Sequence, residues 1–255
     1  MKANSSRIKI LDTVRGLAII LMVIYHTCFD IVRNKFFANS KWLYSAFNFF
    51  YTPFYTALWI ITLSAFLLIA GITSNFSRNN FKRAAIVLCA AFALTVFSVF
   101  YMPEFIIYFG ILHCMGVCML IYALLQRYCP KLLDKIPQWS LAVLFVFFFI
   151  LTENISPIND IFITIFNHKF LLPTYIFGFY SISFSSADYY PLLPWIFMFF
   201  MGAKLGKYIK EEKFPSWFYK FEIKPFSFVG RYPLLIYLLH QPIIFGILYL
   251  MRGIL

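Results

Sequence analysis

The chain has 255 residues, 62% of them hydrophobic and 13% charged, against about 45–50% and about 25% in soluble globular proteins. That composition excludes a water-soluble fold. Its 22 Lys+Arg against 10 Asp+Glu give a net charge of +12; because the basic residues sit between apolar runs, they point to membrane orientation and anionic headgroups, with no nucleic-acid partner expected.

A bilayer core about 30 Å thick needs about 20 apolar residues per helix, and uncharged stretches of that kind recur along the sequence. The first span has to cover about 13–32 and is unusual in including Arg15 and Asp30. A basic N-terminal segment before an apolar run also suits a signal peptide, but no small-residue cleavage site follows His26, so it reads as a retained helix. Further spans are expected in 42–77 (one helix centred on 54–72), 84–103, 105–126, 136–152, 189–203 and 232–251. The 189–203 run is short, and Lys204 and Lys207 are expected to extend it by snorkelling to the interface.

The resulting fold class is an all-α, polytopic integral membrane bundle of about seven transmembrane helices, forming one domain over 1–255. Residues 153–188 read as a re-entrant or cap-like outer segment in preference to an eighth span, which would place the seven basic residues of the last loop outside. Their second half, 170–187, is uncharged but broken by Pro173, Gly178 and several serines, and irregular backbone at membrane depth needs protein or water around it. With the N-terminus cytoplasmic, sixteen Lys/Arg lie on the inner side (at 2, 7, 9, 78, 82, 83, 127, 131, 135, 204, 207, 210, 213, 220, 224 and 231) and five on the outer (33, 35, 41, 169 and 252), Arg15 being counted apart. This asymmetry predicts N-in, C-out.

Ionisable residues within a membrane are costly unless paired or hydrated, and so mark function. Arg15 and His26 are eleven residues apart, which places them within about 20° on one helix face and about 16 Å apart along the axis. Asp12 lies one turn before Arg15 and Asp30 one turn after His26, completing a polar stripe. A carboxylate at i+4 from a histidine suits a proton-abstracting dyad, His26 with Asp30, and a buried guanidinium suits phosphate. The competing reading is structural: an interfacial Asp12–Arg15 pair, and a His26 that hydrogen-bonds across helices.

His113, flanked by Gly110 and Gly116, either faces a cavity or makes an interhelical hydrogen bond. His240, beside Gln241 and Pro242, is read as structural, satisfying a carbonyl freed by the proline. Asp188 is an acceptor-binding or base candidate, or else a surface carboxylate; His168 reads as solvated. Cys28, Cys89, Cys114, Cys118 and Cys129 show no metal-ligand spacing, so no metal is expected. No phosphate-binding glycine loop, nucleophile elbow or zinc-protease motif is present.

The run RIKILDTVRGLAIILMVIYHTCFD (7–30) resembles the opening of membrane acyltransferases. It is most similar to the bacterial proteins grouped with the heparan-α-glucosaminide N-acetyltransferase catalytic domain, and more distantly to the acyltransferase-3 family with its Arg-x10-His pair. The segments FLLIAGITSNFSRNNFKR (66–83), YFGILHCMG (108–116), SSADYYPLLPWIFMFFMGAKLGK (185–207) and GRYPLLIYLLHQP (230–242) agree. The resemblance implies acetyl transfer from cytoplasmic acetyl-CoA to a sugar or glycolipid acceptor at or across the membrane, with Arg15 and His26 carried over as the pair. In the lysosomal enzymes the proposed acetyl-transfer histidine belongs to the luminal region after the first helix; residues 31–53 here hold no histidine, so that role is not carried over.

For such a donor, Arg15 and the basic loop Arg78, Lys82 and Arg83 are the expected phosphate-binding groups. His26, oriented by Asp30 and assisted by His113, is the expected base, with Asp188 on the acceptor side. The alternative function is a solute or proton-coupled transporter using the same charges, although paired inverted repeats are missing. A retinal protein is excluded, since 232–251 contains no lysine.

Overall fold

The computed structural model describes residues 8–33, 48–49, 52–153, 174–180 and 184–252. Their helices are α1 (Lys9–Arg33), α2 (Pro53–Ser74), α3 (Asn80–Tyr101), α4 (Ile111–Tyr128), α5 (Leu132–Lys135), α6 (Gln138–Glu153), α7 (Leu192–Lys210), α8 (Ser216–Lys220), α9 (Lys224–Gly230) and α10 (Pro233–Arg252). Two 3-10 turns, Pro103–Phe105 and Thr174–Phe177, lie between them.

Six of these helices (α1, α2, α3, α4, α7 and α10) are long and apolar enough to cross a bilayer. The seventh expected span, α6, has 16 residues, or about 24 Å of rise, less than the full hydrocarbon thickness. Pro137 stands immediately before it, and the residues after Glu153 lie outside the described ones. The expected count of about seven thus becomes six long helices and one shorter apolar one among the described residues. Most of the 153–188 segment, including His168 and, within 170–187, residues 170–173 and 181–183, lies outside the described residues.

The chain divides into two compact units, Met1–Phe66 with Phe214–Leu255, and Leu67–Lys213. In the first, α1 packs on α9 and α10. The α1–α9 contact is backbone on backbone: a Cβ at Gly16 would meet the Phe226 carbonyl oxygen at 1.9 Å, and one at Gly230 would meet that of Asp12 at 1.9 Å. Side chains lock the same end. The Thr13 hydroxyl accepts from the Ile223 N–H at 3.2 Å, Lys9 pairs with Glu222 at 2.7 Å, and Ser227 donates to Glu222 at 2.9 Å.

In the second unit α4 packs on α3 and α7, and α6 on α7, around the buried Trp195, Tyr122 and Phe199. Tyr122 donates to Asn75 Oδ1 at 3.0 Å, and Asn75 Nδ2 donates to the Ala203 carbonyl at 2.8 Å. Asn80 Nδ2 reaches the Ser74 carbonyl and Gln126 Oε1, both at 2.9 Å. Large apolar side chains such as Phe92, Phe100, Val143 and Phe147 are exposed on α3 and α6, as a lipid-facing surface requires.

The span expected at 189–203 runs on to Lys210. Lys204 does not snorkel: it is 8% exposed, and its Nζ donates to the carbonyls of Leu133 (2.9 Å), Asp134 (3.4 Å) and Ile136. Lys207 pairs with Asp134. Both cations hold the α5 turn against α7, which is why the helix continues past them.

Candidate functional site

The polar stripe of the first span lies on one uninterrupted helix, α1. Asp12 and Asp30 are buried, at 4% and 5% exposure. Arg15, whose side chain is 14% exposed, pairs with Asp12 Oδ1 at 3.1 Å. The same Nη1 donates to the Gly230 carbonyl at 3.2 Å. A guanidinium at a helix C-terminus satisfies an orphan carbonyl and complements the negative end of the helix dipole. Arg15 thus joins α1 to α9, and one of its nitrogens is committed to that contact.

Farther along α1, His26 meets the last helix. Its Nδ1 lies 2.9 Å from Gln241 Nε2, and its ring centroid is 4.9 Å from that of His240. Tyr25 packs edge-on against His26 at 5.1 Å and stacks on Tyr55 at 5.5 Å. The i+4 spacing points to Asp30 as a group that orients His26; the residue facing its Nδ1 is the amide of Gln241 from α10.

His240 is buried, at 7% exposure, with its Nδ1 at 2.5 Å from the Tyr237 carbonyl of its own helix. The ring faces the Tyr237 carbonyl and not that of Leu238, the one four residues before Pro242 that the proline deprives of its donor. The other ring nitrogen, Nε2, is buried and has no hydrogen-bond partner among the described residues, and neither has Gln241 Oε1. Polar atoms this deeply buried are ordinarily paired, so two adjacent exceptions need a reason.

His113, in the other unit, has both ring nitrogens engaged. The Gly110 N–H donates to Nδ1 at 3.2 Å, and Nε2 lies 3.2 Å from Thr95 Oγ1. Thr95 in turn donates to the Ile107 carbonyl at 2.7 Å. The neutral tautomer with hydrogen on Nε2 satisfies every member of this chain. Asp188 is the companion feature: its Oδ2 accepts from the Ile111 N–H at 3.1 Å, where a carboxylate suits the positive end of α4. Tyr190 N–H donates to the Phe109 carbonyl at 2.9 Å and Ala187 N–H to that of Ile106 at 3.0 Å, so the segment carrying Asp188 is pinned beside that helix start.

In the basic loop, Asn79 caps α3 by accepting from the Lys82 N–H at 2.9 Å. Arg78 and Lys82 are exposed. Arg83 is folded back, with Nη1 on the Thr73 carbonyl at 3.2 Å and Nη2 on the Thr73 hydroxyl at 3.3 Å. Among the described residues no group of three His, Cys, Asp or Glu side chains is placed to hold a metal ion.

Gln241 was missed from sequence. Its signal is present, since HQP is the only polar interruption of the last apolar run before Arg252, but an uncharged amide beside a histidine does not by itself point to a partner on the first helix. Residues 7–242 match the family model described as heparan-alpha-glucosaminide N-acetyltransferase, catalytic. No curated protein and no solved structure matches the chain.

Proposed function

From the premise that the chain belongs to the heparan-alpha-glucosaminide N-acetyltransferase catalytic family, a match that spans residues 7–242, we propose that it transfers acetyl from cytoplasmic acetyl-CoA to a hydroxyl or amine of a sugar or glycolipid acceptor at or across the membrane. The orientation that goes with this reading is N-in, C-out, supported by sixteen inner against five outer basic residues.

The reaction needs little beyond proton management and positioning. The acceptor heteroatom bonds to the thioester carbonyl carbon and loses its proton, the C–S bond breaks, and CoA leaves as a thiolate that takes up a proton. Positioned histidines supply such transfers. His26 supports the reading best, because it sits eleven residues beyond Arg15 on one helix and meets a second histidine, His240, at 4.9 Å. Asp30 is buried one turn on along the same helix. The exposed Arg78 and Lys82 serve the donor phosphates. Arg83, His113 and Asp188 are given positioning roles in their own unit: Arg83 holds the turn after α2, and the other two order the start of α4.

The test is purified protein in detergent or nanodiscs, assayed for acetyl-CoA-dependent stabilisation and for acceptor-dependent release of CoA thiol. A ligand at 100 times its Kd stabilises the folded state by about 2.7 kcal/mol. Absence of both stabilisation and CoA release at millimolar acetyl-CoA rejects the reading and favours a transporter.

A further inference from the structure

We infer that His240, through its Nε2, takes the proton from the acceptor, while His26 serves as a hydrogen-bond donor to the reacting carbonyl. This rests on the acetyl-transfer reading and assigns its two proton roles to particular nitrogens.

The assignment follows from what each Nδ1 faces. The atom beside His240 Nδ1 is the Tyr237 carbonyl oxygen, which only accepts, so Nδ1 carries the hydrogen and the neutral ring keeps its lone pair on Nε2. The atom beside His26 Nδ1 is the Gln241 amide nitrogen, which only donates, so the lone pair is on Nδ1 and the hydrogen on Nε2. Tyr237 and Gln241, one turn apart on α10, thus fix opposite tautomers in two rings whose centroids are 4.9 Å apart. One ring offers a base and the other an acid.

The base nitrogen is also the one left over. His240 is 7% exposed, and Nε2 has no partner among the described residues. In a structural histidine that atom would be satisfied, as both nitrogens of His113 are. A buried lone pair held ready in an apolar helix is what a substrate hydroxyl or amine would pair with. The Gln241 Oε1 beside it, likewise without a partner among the described residues, supplies a second acceptor for a sugar hydroxyl.

The step is then balanced. His240 Nε2 takes the acceptor's proton as the acceptor's electron pair forms the new bond to the acetyl carbonyl carbon. The carbonyl oxygen gains charge, steadied by the N–H of His26. Collapse breaks the C–S bond, and the departing CoA thiolate recovers the proton from the His240 imidazolium.

His240→Asn tests this selectively, because the asparagine amide occupies the Nδ1 position, can still donate to the Tyr237 carbonyl, and lacks Nε2. Loss of a general base predicts a fall in kcat of about 100-fold or more, with acetyl-CoA stabilisation of the protein retained. His26→Gln, which restores an N–H near the Nε2 position, is expected to stay within about tenfold of wild type. Nitrogen-15 spectra of histidine-labelled protein should report hydrogen on Nδ1 of His240 and on Nε2 of His26. An active wild type with His240→Asn within about threefold of it, or the reverse tautomers, overturns the inference. A wild type that releases no CoA with any acceptor overturns the acetyl-transfer reading instead, and the role of His240 with it.

Discussion

Gly16 of α1 and Gly230 of α9 let their two helices touch backbone to backbone, each standing where a Cβ would come within 1.9 Å of a carbonyl oxygen on the other. Arg15, the neighbour of Gly16, reaches the Gly230 carbonyl at 3.2 Å. The contact is therefore both steric and electrostatic: the glycines allow the approach, and the guanidinium caps the helix end that the approach brings near. It also ties α1 to a segment more than two hundred positions away in sequence.

Substituting either glycine by alanine forces backbone atoms apart, because the obstacle is a main-chain oxygen and no side chain can rotate away. Overpacking of this kind costs about 3 kcal/mol, which lowers the melting temperature of a chain this size by about 6–12 °C. Gly16→Ala and Gly230→Ala disrupt one interface, so the double variant should lose clearly less than the sum of the two. Thermal unfolding followed by thiol accessibility in detergent measures both effects, and additive losses would argue against a shared contact.

The spans were legible because continuous apolar runs leave little choice in a bilayer; α1, α3 and α10 begin and end within a few residues of their expected limits. The α9 helix was not legible. Its sequence, KPFSFVG, is too short to show a period and reads as loop, and what makes it a helix is its seat on α1. The partner of His26 was hidden for a related reason: Gln241 lies 215 positions away, whereas spacing along one helix reveals only neighbours such as Asp30. Local spacing placed Arg15 and Asp12 together, as found, since that pair lies within one turn.

The Glu222 carboxyl gives a pH signature at this junction. It is held below its usual 4.5, first by the hydrogen bond from Lys9, then by that from Ser227, with Lys9 and Arg231 adding charge attraction. A depressed folded-state value means that its contribution is complete above the unfolded pKa of about 4.3 and is lost as pH falls through the lowered folded value. Melting temperature should therefore drop more steeply on acidification below about pH 4.5 in the wild type than in Glu222→Gln. Parallel pH profiles for the two proteins would show that the pair contributes nothing.

His113 and Thr95 form consecutive links of one hydrogen-bond chain between Gly110 and Ile107. His113→Ala leaves the Gly110 N–H and the Thr95 hydroxyl without that partner, and Thr95→Val leaves His113 Nε2 and the Ile107 carbonyl so; each should cost about 1–3 kcal/mol. Coupling in the double-mutant cycle should be about 0.5–3 kcal/mol. If His113 instead carried a proton in the reaction, Thr95→Val would preserve kcat while His113→Ala abolished it, so kcat measured for both variants separates a positioning residue from a catalytic one.

The cations at the start of α3 are expected to divide by exposure. Arg83 spends both terminal nitrogens on Thr73, so Arg83→Ala should destabilise the turn between α2 and α3, at about 1–3 kcal/mol. Arg78 and Lys82 are exposed, and their side chains have no such internal duty among the described residues. Replacing both with alanine should leave the melting temperature within about 2 °C of wild type, since surface changes of this kind usually stay within ±0.5 kcal/mol. It should also weaken acetyl-CoA binding about tenfold, equivalent to about 1.4 kcal/mol. Because the contacts are solvent-exposed, the weakening should shrink as salt is raised and the Debye length falls to about 3 Å at 1 M. Equal affinities for wild type and the double variant at low salt would rule out a donor-phosphate role for this loop.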